Sequence, residues 1–288
     1  MIDAKISKCE FYDALIREIP EDVTVCDACV GLHWGYVEAK HADGHLSMGL
    51  AYTLSGGGIS RINGPITGRS LREIAELSKS WNWVDSTLGV AALNAWYSTF
   101  ENVSSLGGVF EEPEEKALSS GEGRLNGTGS FVRGDNRREY IAEKTDPFNF
   151  LKIDYTGKKI TVVGHFPGLD KVAEVADLTI LERKPNASSG DTPDPGCEYI
   201  IPTQDYVIMT GVTVINKTAP RLIELSKNAV CSMLGPSVIP AQQIFDYGVD
   251  ILAGRIVIDN ERAKEAVKQS TRFASSLKMY SIDKREHP

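Results

Sequence analysis

Apolar positions at the start of the chain recur with helical spacing and then switch to alternation. Residues 10–19 (EFYDALIREI) place Phe11, Leu15 and Ile19 on one helical face, and Pro20 closes the segment. From Val23 to Thr53 the pattern is strand-like. Val23, Val25, Val37, Leu46 and Leu50 stand among turn signals such as His41-Ala-Asp-Gly44, which predicts two or three antiparallel strands. After the loop Ser55-Gly-Gly-Gly58, helices are expected near Leu71–Lys79 and Ser86–Thr99, the second rich in Ala and Leu. A meander followed by helices is an α+β layout, so residues 1–103 are expected to form a small α+β unit.

Residues 104–147 hold many Gly, Ser, Glu and Asn without a sustained period. A loop of that length is either functional or mobile, and residues 104–150 are assigned to a linker. The pattern changes again at Lys158. Short, almost continuously apolar runs follow at 160–164 (ITVVG), 178–182 (LTILE), 206–211 (YVIMTG) and 230–235 (VCSMLG), with a weaker fifth at 255–258. Runs of this kind suit strands buried on both faces of a parallel sheet. Between them lie helical stretches, the clearest from Ala219 to Lys227, with Thr218 as N-cap, Pro220 in the first turn and Leu222 and Leu225 inward. Strand–helix alternation predicts right-handed βαβ units, and hence a mainly parallel three-layer α/β domain over residues 151–288.

Composition narrows the function classes. With 288 residues the chain is long enough for about two domains and a core that needs no staples. A net charge of −8 argues against a phosphate-backbone partner, and the one dense basic cluster, Arg133 to Arg138, is short and interrupted by Asp135. No nucleic-acid partner is expected. Five cysteines at uneven spacing do not make a disulfide framework, so reduced thiols in a cytoplasmic setting are expected. The N-terminus lacks the regions of a signal peptide, and no apolar run reaches the length of a membrane span.

The predicted strand ends carry the chemistry. They read Gly164-His-Phe-Pro167, Glu182-Arg-Lys-Pro185, Thr210-Gly-Val-Thr213 and Gly235-Pro-Ser237. In an open parallel sheet all four face one crevice, where such folds bind ligands. Gly164, Gly211 and Gly235 would let the backbone approach a ligand, while Thr210, Thr213 and Ser237 offer hydroxyls. Glu182 lies 18 residues after Gly164, near where an acid meets ribose hydroxyls in nucleotide-binding folds. The same glycines and prolines could simply end strands. There is no G-x-G-x-x-G and no G-x-x-x-x-G-K-[ST] run, which disfavours NAD, FAD and nucleotide triphosphates in their usual poses.

Other clusters carry weaker signals. In Gly190-Asp-Thr-Pro-Asp194, followed by Glu198, the carboxylates could bind a cation, act as acid and base, or cap a short helix begun by Pro193. Cys26-x-x-Cys29-x-x-x-His33 resembles half a zinc site, but on a continuous strand Cys26 and Cys29 point to opposite faces, so no bound zinc is expected. His41 and His45 flank a turn, where they either pair on a metal or form a solvated hairpin tip. Trp81 and Trp83 beside Asn82 either line a pocket or serve as core.

Several motifs in this order match one family. They are Lys79-Ser-Trp-Asn82, Gly89-Val-Ala-Ala-Leu-Asn-Ala95, Val162-Val-Gly-His-Phe-Pro167, Leu181-Glu-Arg-Lys-Pro185, Asp205-Tyr-Val207 with Thr210-Gly211, Asn216-Lys-Thr218, Leu234-Gly-Pro-Ser237 and Tyr247-Gly-Val-Asp250. Outside residues 104–147, nearly the whole chain resembles the bacterial and archaeal heavy-metal-chelation family. Its members join an enolase-N-terminal-like domain to a Rossmann-like domain. The resemblance implies an active site where the two domains meet, and chemistry on a flavin-, pterin- or siderophore-like molecule linked to metal chelation. The second half also partly resembles methyltransferases, which place an acid like Glu182 on the cofactor ribose. The cofactor expectations are therefore a divalent metal ion or S-adenosylmethionine, the latter against the missing glycine-rich loop. The enolase comparison covers only a capping domain, so no enolase activity follows.

The expected protein is a small-molecule enzyme carrying out a condensation or hydrolysis, with a non-catalytic metal or metal-chelate binder and a methyltransferase as alternatives. Glu182, Asp191 and His165 are the catalytic candidates. Asn94, Gly164, Thr210, Gly211, Asn216, Lys217, Gly235 and Ser237 are the ligand-binding candidates, Lys217 and Ser237 steadying an anionic group. Asn94, on a helix of the first domain, is expected to share one cavity with His165, Glu182 and Ser237. A small-molecule ligand and a homo-oligomer are the expected partners.

Overall fold

A computed structural model describes residues 4–111, 148, 151, 153–185 and 190–286. Most of the predicted 104–150 linker, residues 112–147, lies outside them. The first unit opens with α1 (Ala4–Arg17), followed by β1 (Thr24–Val30), β2 (Trp34–Lys40) and β3 (Leu46–Tyr52). These strands form an antiparallel meander in the order β1-β2-β3. The β2–β3 turn is the one predicted, with Gly44 at φ 88° and its N–H donating to His41 O at 2.9 Å. Helices α2 (Leu71–Ala75), α3 (Trp83–Tyr97) and α4 (Phe100–Ser105) follow. The start of α3 is set by Asn82, whose side chain accepts from Val84 N and Asp85 N.

The second unit is one sheet. Its strands are β4 (Val109–Phe110), β5 (Lys159–Val163), β6 (Asp177–Glu182), β7 (Thr192–Pro193), β8 (Tyr206–Thr210), β9 (Val230–Leu234), β10 (Ile251–Val257) and β11 (Leu277–Asp283). Helices α5 (Leu169–Val175), α6 (Cys197–Ile200), α7 (Val212–Ile215), α8 (Ala219–Leu225), α9 (Gln242–Asp246) and α10 (Asn260–Gln269) connect them. The order is β4-β11-β10-β9-β8-β5-β6-β7, parallel from β10 through β7 and antiparallel only where β11 meets β10 and β4. Numbered from β5, the parallel part reads 3-2-1-4-5-6, the doubly wound order, and its topological switch lies between β5 and β8. The predicted fifth strand is longer than its apolar run suggested, starting at Ile251. Thr218 is not a side-chain N-cap for α8; its own N–H and hydroxyl both donate to Asn216 Oδ1.

Successive sheet residues serve opposite cores, as a sheet covered on both sides requires. Val162, Ile208, Leu234, Ile251 and Ala253 pack with Leu169 and Val172 of α5. Val163, Leu181, Val207, Met209, Cys231, Met233 and Leu252 face the other way, into a cluster that continues through α1 and α3 to β1 and β2. The two units therefore share a core. Among the described residues, no helix is long and apolar enough to cross a membrane.

Helix α3 is buried on every side, with Leu88, Val90, Ala91, Ala92, Leu93 and Ala95 all inaccessible or nearly so. Its contact with β3 is close enough to exclude a side chain, because a Cβ on Gly49 would stand 2.1 Å from Ala91 O and Ala95 N. Gly49→Ala must therefore push strand and helix apart, at an expected cost of about 3 kcal/mol for overpacking. Urea unfolding measures this, and a wild-type midpoint would show that the two elements separate freely.

Candidate functional site

A cavity of about 730 Å³ lies at the C-terminal ends of the parallel strands. Its floor comes from the switch point, with Val163, Gly164, His165 and Phe166 after β5 and Thr210, Val212 and Thr213 at the end of β8. Glu182 and Arg183 enter from β6, and Gly235, Pro236 and Ser237 follow β9. Gly164 and Gly235 sit at φ 97° and 111°, left-handed conformations that turn the chain away from the sheet at little cost only in glycine. The first unit closes the open side with Trp34, Tyr52 and Leu54. Trp34 and Tyr52 are cross-strand partners at the open end of the β2–β3 hairpin, and their rings meet edge to face at 5.4 Å. The contact is fixed where Tyr52 N donates to Ser237 Oγ at 2.9 Å.

Of the predicted residues, His165, Glu182, Gly164, Thr210, Asn216, Gly235 and Ser237 line this cavity. Asp191 stands behind His165. Its carboxylate side chain is 1% exposed and accepts from the half-exposed imidazole, Nε2 to Oδ2, at 3.0 Å. With Nε2 on Asp191, proton exchange with a ligand falls to Nδ1. Glu182 Oε1 accepts the Lys184 N–H at 3.1 Å, which fixes the carboxylate at the strand end. The other two acids of the 190–198 segment are bound by arginines. Asp194 accepts from Arg183 Nε at 2.8 Å, and Glu198 takes Nε and Nη2 of Arg221 as a fork. Both ion pairs tether the cleft wall, and neither acid accepts a helix-cap hydrogen bond.

Three ligand-binding expectations are corrected. Asn94 does not reach the cavity. It is 1% exposed inside the first unit, donating to Leu50 O at 2.8 Å and accepting from Ser98 Oγ, which pins α3 to β3. Gly211 does not line the cavity either. A Cβ there would meet Val238 N at 2.5 Å, so it lets the end of β8 pass under the turn after Ser237. Lys217 adopts φ 69° between Asn216 and Thr218 and turns inward, where Nζ donates to Ser86 Oγ at 2.5 Å and Ile215 O at 2.7 Å and lies 5.7 Å from the Tyr12 ring.

The strand argument for the cysteines also fails. A register irregularity between Val25 and Asp27 puts Cys26 and Asp27 on the same side, so Cys26 and Cys29 both face α10. There Cys26 Sγ donates to Glu38 Oε2 at 3.3 Å, and Lys264 holds the same oxygen at 2.8 Å. Desolvation of the sulfur and the Glu38 carboxylate push the thiol up to about 11. His41 and His45 stack on each other at 3.8 Å and continue onto Trp96. Trp81 is exposed, and neither it nor Trp83 lines the cavity. Sequence reasoning missed Trp34, Tyr52 and Arg183. The first two had a signal, as paired aromatics at the hairpin end opposite the His41–Gly44 turn.

Sequence profiles of the family described as "Putative heavy-metal chelation" match residues 12–97 (DUF4213) and 146–283 (DUF364). A crystal structure of a DUF364-family protein from Desulfitobacterium hafniense is 30% identical, covers 96% of this chain and 99% of its own, and superposes with a TM-score of 0.75. A DUF364-family protein from Pyrococcus horikoshii, 20% identical over 96% of this chain and 99% of its own, has the same fold with a TM-score of 0.70. An uncharacterized protein of Methanocaldococcus jannaschii is 25% identical over 283 residues, 93% of each chain. The fold is mixed α/β, with a cavity where the three-stranded sheet meets the ends of the parallel strands. The chain belongs to the DUF364 heavy-metal-chelation family.

Burial lowers Lys217 to about 7. An unfolded lysine keeps its proton to about pH 10.4. Between those values the unfolded chain holds a proton that the folded chain lacks, so this residue makes stability rise with pH across that window. Lys217→Met is expected to melt above wild type below about pH 7, and the gap should narrow toward about pH 10. Melting curves across that range test this; a gap independent of pH would show that burying charge is not the cost.

Proposed function

We propose that the cleft binds a small organic ligand and performs acid–base chemistry on it, a condensation or hydrolysis. The observation that carries this reading is the His165–Asp191 pair at the cavity wall. A buried carboxylate orients an imidazole and stabilises its protonated form, leaving the other ring nitrogen to exchange a proton with the ligand. Glu182, on the neighbouring strand end, is the anchor for ligand hydroxyls, in the position that holds a ribose in doubly wound sheets. That position is what supports S-adenosylmethionine as one ligand to test.

Metal enters this reading as cargo. Among the described residues, no three His, Cys, Asp or Glu side chains converge to hold an ion. In keeping with the family description, a metal would arrive already bound by an organic chelator that supplies its donors, and no step is assigned to it. The same donor arithmetic favours a second reading, in which the cleft sequesters a metal chelate without turnover.

Thermal shift with S-adenosylmethionine, a pterin, a flavin and a catechol siderophore with and without iron tests the site. A ligand at a hundred times its Kd stabilises the native state by about 2.7 kcal/mol, which is roughly 5–10 °C for a chain of this size. Glu182→Gln should abolish that shift while moving the unliganded melting point by less than about 2 °C, as expected of a surface change. His165→Asn should keep the shift but lose turnover by about 100-fold or more, and Asp191→Asn should slow turnover and alter its pH profile. A Glu182→Gln protein that binds as wild type, or a His165→Asn protein with full turnover, would sink the reading.

A further inference from the structure

The polar groups lining the cleft can be sorted by what they already hold. Thr213 Oγ1 donates to Thr210 O at 2.7 Å, and Thr218 Oγ1 to Asn216 Oδ1 at 2.6 Å. Arg221 spends Nε, Nη1 and Nη2 on Glu198 and Glu224. What is left is lopsided. Among the described residues Arg183 commits only Nε, to Asp194, which leaves its Nη1–Nη2 edge open. Ser237 Oγ accepts from Tyr52 N and Thr210 Oγ1 accepts from Val212 N, so both hydroxyl protons remain to donate. Asn216 Nδ2 and the Trp34 indole N–H likewise have no acceptor among the described residues. Among the described side chains, the acceptors that stand against these five donors are the second oxygens of Glu182 and Asp194 and the Nδ1 of His165.

A ligand that displaces water from such a wall must replace the water oxygens with its own, or leave donors unpaired at about 1–3 kcal/mol each. The cleft therefore selects acceptor-rich molecules. The open edge of Arg183 presents two parallel N–H groups, a geometry matched by two oxygens of a carboxylate or phosphate. The donors are also spread. Ser237 follows β9 and Arg183 follows β6, three strand intervals away in the order β9-β8-β5-β6, or about 14 Å at the usual spacing. An ion the size of sulfate cannot serve both ends.

We propose that the ligand is an elongated anion whose carboxylate or phosphate seats on the Nη1–Nη2 edge of Arg183, while its remaining oxygens reach Asn216, Thr210 and Ser237. This rests on the cleft being a ligand site, as argued above, and adds the chemical class of its occupant. Glu182 takes a hydroxyl of the same molecule. The oxyanion has two sources, an aromatic hydroxy acid or a nucleoside phosphate.

Calorimetry with matched pairs tests the class and separates the sources. The pairs are catechol against 2,3-dihydroxybenzoate, and adenosine against adenosine 5′-monophosphate. In at least one pair the anionic member should bind about tenfold or more tighter, as a charge-assisted contact to Arg183 requires. Arg183→Gln should reduce that preference to less than about threefold, while Arg183→Lys should retain part of it. Melting points of both variants near wild type confirm that the fold persists. Equal affinity within both pairs would overturn the oxyanion assignment but leave the cleft as a ligand site. A preference that survives Arg183→Gln would overturn the role of Arg183. Failure of all four molecules to bind would overturn the class, whereas failure of the cleft itself is read separately from the Glu182→Gln experiment.

Discussion

The burial of α3 on every side is the constraint from which the rest of the molecule follows. A helix without a polar face needs neighbours all round. It finds the β2–β3 face on one side, through Gly49, and α2, α1 and α7 on the other. Ser86, at its first turns, donates to Ile215 O of α7, so the helix is bonded to the second unit as well as packed on it. The three-stranded sheet is thereby held at one height above the parallel strands. Its open hairpin end falls over the strand ends, and Tyr52 N meets Ser237 Oγ.

That placement covers one side of the crevice with the first unit. At the switch between β5 and β8 the helices on either side diverge, which leaves space that a single sheet would expose to water. Trp34 and Tyr52 fill the exposed side with rings instead of charge. The shared core has a second consequence. A change that loosens α3 also moves one wall of the cleft, so the packing of the core and the shape of the cleft are coupled.

How much of this was legible depended on whether a signal was local. The four apolar runs of the sheet and their polar ends announced parallel strands with a site at their ends, because burial on both faces needs continuous apolarity. The pattern of strand β10 is legible only from Arg255 because Gly254 interrupts it. A Cβ on Gly254 would collide with the Tyr280 ring, a cross-strand reason invisible to periodicity. Cys26 and Cys29 were assigned to opposite faces because a bulge leaves no mark in residue type. Asn94 and Lys217 stand in motifs that carry the family resemblance, which suggests a ligand role, whereas here they satisfy backbone carbonyls inside the core. His165 and Asp191, 26 residues apart, were both candidates, but only the fold brings them to 3.0 Å.

The cleft wall that carries Asp191 is held unevenly, and this bears on the chemistry. At its far end Ile201 is fully buried in the shared core. Nearer Asp191 the tethers are Arg183–Asp194 and Arg221–Glu198, whose side chains are each about a third to a half exposed. Pairs this exposed contribute about 0–1 kcal/mol each and weaken with salt. The two-residue strand β7 adds little more. The carboxylate paired with His165 thus lies on a wall whose outer ion pairs are exposed, although its own side chain is buried. An anion on the open edge of Arg183 would share its guanidinium with Asp194, so that one cation bridges two anions against their mutual repulsion. If the proposed anion seats there, its binding and the position of the wall that carries Asp191 are linked through this arginine.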